Sequence, residues 1–185
     1  GGLAILLAAE TPGFAPGAVV LVDVAPRLEE EGTRRITEFM TDRRDGFASL
    51  EEAADYIAAY TRERTRERNL DGLLKVLRRG DDGRYRWHWD PLFMTERGPS
   101  ELVDRERLLD CARRIEAPAL VVRGRQSDVL SPEGAAELVA TFRDAELVDV
   151  SGAGHMVAGD RNEVFTQAVT GFLRRCAGTA PEGRT

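Results

Sequence analysis

The chain is short of the residues that build metal and redox centres. Its 185 residues hold two histidines and two cysteines, and Cys111 and Cys176 form neither a metal-ligand nor a redox spacing. No metal or other cofactor is expected. No apolar stretch approaches the roughly 20 residues of a membrane span, which argues against a membrane role. A long basic run is also missing. Arg62, Arg64, Arg66 and Arg68 cluster, but Glu63 and Glu67 interrupt them; with a net charge of −6 this disfavours a nucleic-acid partner and reads as a solvated helix face. Internal repeats, low-complexity segments and a secretory leader pattern are all missing from these residues, and the cytoplasm is the default location. Nor does any serine look like an activated nucleophile. Ser49, Ser127 and Ser131 read as caps or turn formers, Ser100 opens a helix, and Ser151 precedes a histidine loop.

What is present has the periodicity of an α/β protein. Ala18-Val19-Val20-Leu21-Val22-Asp23-Val24 is almost wholly apolar and β-branched, as a strand buried on both faces should be, and it ends at Pro26. Similar strands are expected over 118–124 and 145–150. A helix starting at Ser131-Pro132-Glu133 lies between them, with Pro132 suited to its first turn, and a last helix covers about 161 to 175. Between them, roughly 27 to 116, the pattern turns helical and charged. Ser49 and Glu52 are spaced as a capping box, and Leu70, Leu73, Leu74 and Leu77 stripe one face of a further helix. Tyr85, Trp87 and Trp89 alternate with Arg84, Arg86 and His88 in a short period-two segment.

Two residues carry the chemistry. His155 sits in Ser151-Gly152-Ala153-Gly154-His155-Met156, a glycine-softened loop just past the third strand, where a catalytic base would stand. Asp128 follows the strand ending at Gly124. In an open parallel sheet, ligands gather beyond the carboxyl ends of the strands, so adjacent strands would bring the two to one rim as acid and base. Asp23 also ends a strand and is the reserve acid. His88, among tryptophans, reads as packing, and Asp160 as a helix cap. Trp87, Trp89, Phe93, Met94 and Met156 are weak candidates for an apolar substrate pocket, since aromatic residues in such a segment first of all hold it to the rest of the chain.

Strand–Asp128 followed by strand–His155 resembles the last part of the α/β-hydrolase fold, whose triad runs nucleophile, acid, histidine. Residues 117 to 173 resemble its last two strands and final helix, and Gly1-Gly2-Leu3-Ala4-Ile5-Leu6-Leu7 resembles the helix after the nucleophile elbow, with Gly1 as the closing glycine of G-x-S-x-G. The resemblance implies a partial α/β-hydrolase fold with a mainly parallel sheet of about three strands. The core would be 1–26 with 117–176, a helical lid would be inserted at 27–116, and 177–185 would be a disordered tail. It further implies a C-terminal fragment of an enzyme that cleaves ester, acyl or carbon–carbon bonds of a small apolar substrate, with Asp128 and His155 catalytic and the nucleophile outside this chain. Two alternatives stay open. One is an aspartate nucleophile acting on epoxides or haloalkanes, with Tyr56, Tyr60 or Tyr85 available as an acid; the other is a binding module without chemistry. A fragment of this kind would leave one edge of strand 18–24 unpaired and prone to self-association.

Overall fold

The computed structural model describes residues 1–60, 70–89 and 104–178. In chain order its elements are α1 (Gly2–Glu10), β1 (Val19–Val22), α2 (Glu30–Thr41), α3 (Leu50–Tyr60), α4 (Leu70–Leu73), β2 (Leu77–Arg79) and β3 (Tyr85–Trp87). After these come α5 (Arg105–Arg114), β4 (Ala119–Gly124), α6 (Pro132–Thr141), β5 (Ala145–Val150), α7 (Val157–Asp160) and α8 (Asn162–Gly178). The chain forms two compact units, Gly1–Thr33 with Val103–Thr185, and Arg34–Leu102.

The first unit is built on a three-stranded parallel sheet in the order β1-β4-β5. The central strand β4 is buried at all six positions, which is why its sequence is an unbroken apolar run up to Arg123 rather than an alternating one. The strand's period of two divides its side chains between two cores. Val121 of β4 and Val19 and Leu21 of β1 pack on one face with Ile5 of α1, with Leu108, Cys111 and Ala112 of α5, and with Ala135 and Leu138 of α6. Leu120 and Val122 pack on the other face with Val150, Val157 and Phe172, beneath α7 and α8. Removing one such fully buried aliphatic side chain from water is worth about 1.5–3 kcal/mol.

Local signals fix the ends of the helices. Ser131 accepts the Gly134 N–H at 3.2 Å with Pro132 in the first turn of α6, and Asp104 caps α5 through the Glu106 N–H at 3.2 Å. Residues 104–116, expected in the lid, belong instead to the first unit: Leu108, Cys111, Ala112 and Ile115 are part of its core. Helix α8 continues through Gly178, two residues into the expected tail; the rest of that tail, 179–185, lies outside the described residues, as do the arginine cluster at 62–68, Phe93, Met94 and Ser100.

The second unit contains α3, α4 and an antiparallel hairpin that pairs Leu77 with Trp87. Its core is Phe47, Ala53 and Leu77, with Leu50, Tyr56, Leu73, Tyr85 and Trp87 around them. The capping box at the start of α3 is present, the Glu52 N–H donating to Ser49 Oγ at 3.1 Å while Glu52 Oε2 accepts from the Ala48 N–H at 2.6 Å. The leucine stripe does not continue as one helix. Helix α4 stops at Leu73, and Leu77 begins β2, because its side chain serves the hairpin core opposite Trp87.

Candidate active site

Everything that holds the site together lies in the first unit, at the C-terminal ends of β1, β4 and β5. Asp23 follows β1, with its N–H still on the sheet ladder at 2.7 Å from the Val122 carbonyl. Its backbone then turns sharply. Asp23 has φ +49°, the one positive value for a non-glycine residue among those described. A short polar side chain tolerates this left-handed conformation better than most, and a strained residue held by its surroundings is a pointer to function. The turn carries the side chain into the protein, where the residue is 1% exposed.

Three donors surround that buried carboxylate. Oδ1 accepts the Gly124 N–H at 3.0 Å. Oδ2 accepts the Ser127 hydroxyl at 2.5 Å and lies 2.8 Å from His155 Nδ1. The imidazole thus has one nitrogen on a buried anion, which favours the tautomer with the proton on Nδ1 and leaves Nε2 as the free base. The His155 side chain is 38% exposed, so one side of the pair is dry and the other open. Among the described residues Nε2 has no hydrogen-bond partner.

The loop that carries His155 is tied down by backbone. Arg125 N–H donates to the Val150 carbonyl at 3.0 Å and Gln126 N–H to the Ala153 carbonyl at 2.9 Å. Gly124 permits this approach: a Cβ there would stand 2.1 Å from the Gly154 carbonyl oxygen. Gly152, at φ +71°, makes the turn between β5 and the histidine. Below the loop, the buried guanidinium of Arg123 donates to the Leu130 carbonyl at 2.9 Å and pairs with Asp149 at 2.8 Å, holding the loop after β4 against β5.

The partner expected for His155 was Asp128, and the structure gives it Asp23. The physical reason is the turn after β4. Ser127 Oγ accepts the N–H groups of both Val129 and Leu130, and this turn brings Ser127, one residue before Asp128, onto the Asp23 carboxylate. Asp128 is left exposed, with its backbone carbonyl packed so closely on α2 that a Cβ at Gly32 would lie 2.0 Å from its oxygen. Met156, beside the histidine, is 55% exposed. Trp87 belongs to the second unit, where its ring meets Phe47 edge-on at 5.7 Å between centroids, and Trp89 lies in that unit too. Both indole nitrogens are buried without a hydrogen-bond partner among the described residues. The residues whose part in the site the sequence did not reveal are Gly124, the last residue of β4, and Ser127, in the turn just beyond it.

The N-terminus of α1 lies on the same rim. Gly1 caps α1 and is packed so tightly on Val24, the neighbour of Asp23, that a Cβ at Gly1 would be 2.4 Å from Val24 Cγ2. Among the described residues no group of three His, Cys, Asp or Glu side chains has metal-binding geometry, and no helix is long and apolar enough to cross a membrane.

Comparison with known proteins finds the same fold in solved hydrolases. An α/β hydrolase of Novosphingobium aromaticivorans superposes with a TM-score of 0.72 at 29% identity, over 95% of this chain and 62% of its own. The chain has the α/β-hydrolase fold. A solved esterase of Mycobacterium tuberculosis is similarly related to this α/β-hydrolase chain, with a TM-score of 0.72 and 29% identity over 94% of this chain and 57% of its own. The 3-hydroxybutyrate-oligomer hydrolase of Cupriavidus necator is 30% identical over 165 residues, 84% of this chain and 56% of that protein. A family model described as TAP-like protein matches residues 98–184. The chain therefore spans a little over half the length of these relatives.

Proposed function

We propose that the chain supplies the acid and the base of a hydrolase that cleaves carboxylic esters through a nucleophile–acid–histidine triad, with Asp23 as the acid and His155 as the base. The observation that carries the reading is the 2.8 Å contact between His155 Nδ1 and the buried Asp23 carboxylate, with the ring partly open to solvent. In the reaction, His155 Nε2 takes the proton of the nucleophile's hydroxyl as its oxygen attacks the ester carbonyl, and returns that proton to the departing alcohol. Water, activated by the same nitrogen, then releases the acid. Asp23 keeps the ring oriented and stabilises the imidazolium that forms in each half.

The nucleophile belongs to the turn ahead of α1, where Gly1 would close a G-x-S-x-G motif. The packing of Gly1 on Val24 supports this, because it sets the N-terminal end of α1 one residue from Asp23, and a helix N-terminus favours the negative charge that develops on the substrate oxygen. The substrate is a small, largely apolar ester, with Met156, exposed beside His155, as a contact. Similarity to a 3-hydroxybutyrate-oligomer hydrolase supports esters of short hydroxy acids. A cytoplasmic location is part of the proposal.

The test is hydrolysis of p-nitrophenyl butyrate and of a 3-hydroxybutyrate dimer by the complete product of the gene that encodes these residues. Turnover should saturate with substrate, and His155→Ala should reduce kcat by several orders of magnitude. No hydrolysis of any ester, or turnover indifferent to His155→Ala, would refute the reading.

A further inference from the structure

We propose that Ser127 is a positioning residue for the acid: its hydroxyl holds the Asp23 carboxylate in the one orientation that presents Oδ2 to His155. The inference rests on the reading of Asp23 and His155 as the acid and base. The geometry leaves little freedom for the Ser127 proton. A hydroxyl has two acceptor sites and one proton, and Ser127 Oγ already accepts the N–H groups of Val129 at 3.1 Å and Leu130 at 3.2 Å. Its proton therefore goes to Asp23 Oδ2, 2.5 Å away, within the range of a short charge-assisted O–H···O⁻ bond.

The carboxylate needs such a holder because little else fixes its rotation. It is buried, and among the described residues it has, besides Ser127 and His155, only the Gly124 N–H, on the opposite oxygen. A carboxylate pinned at Oδ1 alone can swing about that contact, carrying Oδ2 away from Nδ1. The hydroxyl closes that motion and satisfies a second lone pair of Oδ2 that would otherwise be buried without a donor. The Ser127 hydroxyl is itself fixed by the turn at 127–130, and that turn is anchored by Arg123 through the Leu130 carbonyl. Loop position is thereby converted into the orientation of the imidazole. Since displacement of a reacting group by about 1 Å can cost on the order of a hundredfold, losing this restraint should be read in kcat.

Threonine and valine have the same shape and differ in the hydroxyl, so the pair Ser127→Thr and Ser127→Val isolates it. In the complete gene product, Ser127→Val and Ser127→Ala should lower kcat for p-nitrophenyl butyrate between about ten- and a hundredfold with KM within about twofold, while Ser127→Thr keeps near-normal turnover. The low-field Nδ1–H proton of 15N-labelled His155 should broaden through faster exchange in the valine variant and persist in the threonine variant. A purely structural turn former would lower the melting temperature and leave that proton signal unchanged. If His155→Ala abolishes turnover but Ser127→Val matches Ser127→Thr in kcat and in the proton signal, this inference falls and the assignment of the pair stands. If His155→Ala is active, both fall. Should the valine variant fail to fold, equal kcat in the alanine and threonine variants would overturn the proposal just as directly.

Discussion

Replacing Asp23 by asparagine is the most informative perturbation of this site, because the change is isosteric and every neighbour of the carboxylate is a donor. The Gly124 N–H points at Oδ1, and the Ser127 hydroxyl and His155 Nδ1 face Oδ2. Asparagine must place its NH2 at one of these two positions. At the Oδ1 position it opposes a buried backbone N–H, leaving a donor unsatisfied at a cost of about 1–3 kcal/mol. At the Oδ2 position it opposes the Ser127 proton at a similar cost, donates to Nδ1 and forces the imidazole proton onto Nε2, the nitrogen that must act as base. The second arrangement abolishes general-base catalysis, and the equivalent change in a serine-protease triad lowers kcat by about ten-thousandfold. Asp23→Asn should therefore fold, lose about 1–3 kcal/mol in denaturant titration, and fall by roughly three to four orders of magnitude in kcat with p-nitrophenyl butyrate. Asp128→Asn, at an exposed position and not on His155, should stay within about threefold of the unaltered enzyme. A larger loss of turnover in Asp128→Asn than in Asp23→Asn, with both folded, would refute the assignment of the acid.

Gly124→Ala should weaken both the fold and turnover, because its Cβ would stand 2.1 Å from the Gly154 carbonyl and 2.6 Å from that of Ala153; the expected cost is about 1–3 kcal/mol, and unchanged melting and kcat would contradict the packing described. Glu10 gives a pH-dependent contribution. The Arg107 guanidinium, with Cys111 Sγ after it, lowers its carboxyl from 4.5 to about 2, so the stabilisation is fully present above pH 4.5 and is lost as the pH falls through about 2. The melting temperatures of the unaltered chain and Glu10→Gln should differ at pH 6 and converge as the pH falls across that window, and a gap that widens instead would show the sign to be wrong. The sheet makes a fourth expectation. Among the described residues β1 pairs only with β4, and α1 exposes Leu3 and Leu7, so the 185-residue chain should self-associate in sedimentation and bind a hydrophobic dye. Leu3→Lys with Leu7→Lys should reduce the association, and a monodisperse monomer at all concentrations would dispose of it.

The strands were legible in the sequence for a simple reason: a parallel strand covered on both faces must be apolar at every position, and Val19–Val22 and Ala119–Val122 are. Glycine and proline marked the loops, Ser131-Pro132 marked the start of α6, and a histidine just past a strand in a glycine-rich loop was enough to single out His155. These are all local constraints, each expressed within a few residues. Which acid serves that histidine is not local. Asp23 and Asp128 both follow buried strands, and choosing between them depends on the order β1-β4-β5, on the left-handed backbone at Asp23, and on a turn at Ser127 that exposes Asp128. Leu77 tells the same story in the second unit, since its helical spacing yields to the hairpin core opposite Trp87. Periodicity specifies which face of an element is buried; only the packed fold decides which two polar side chains, 132 residues apart along the chain, share a hydrogen bond.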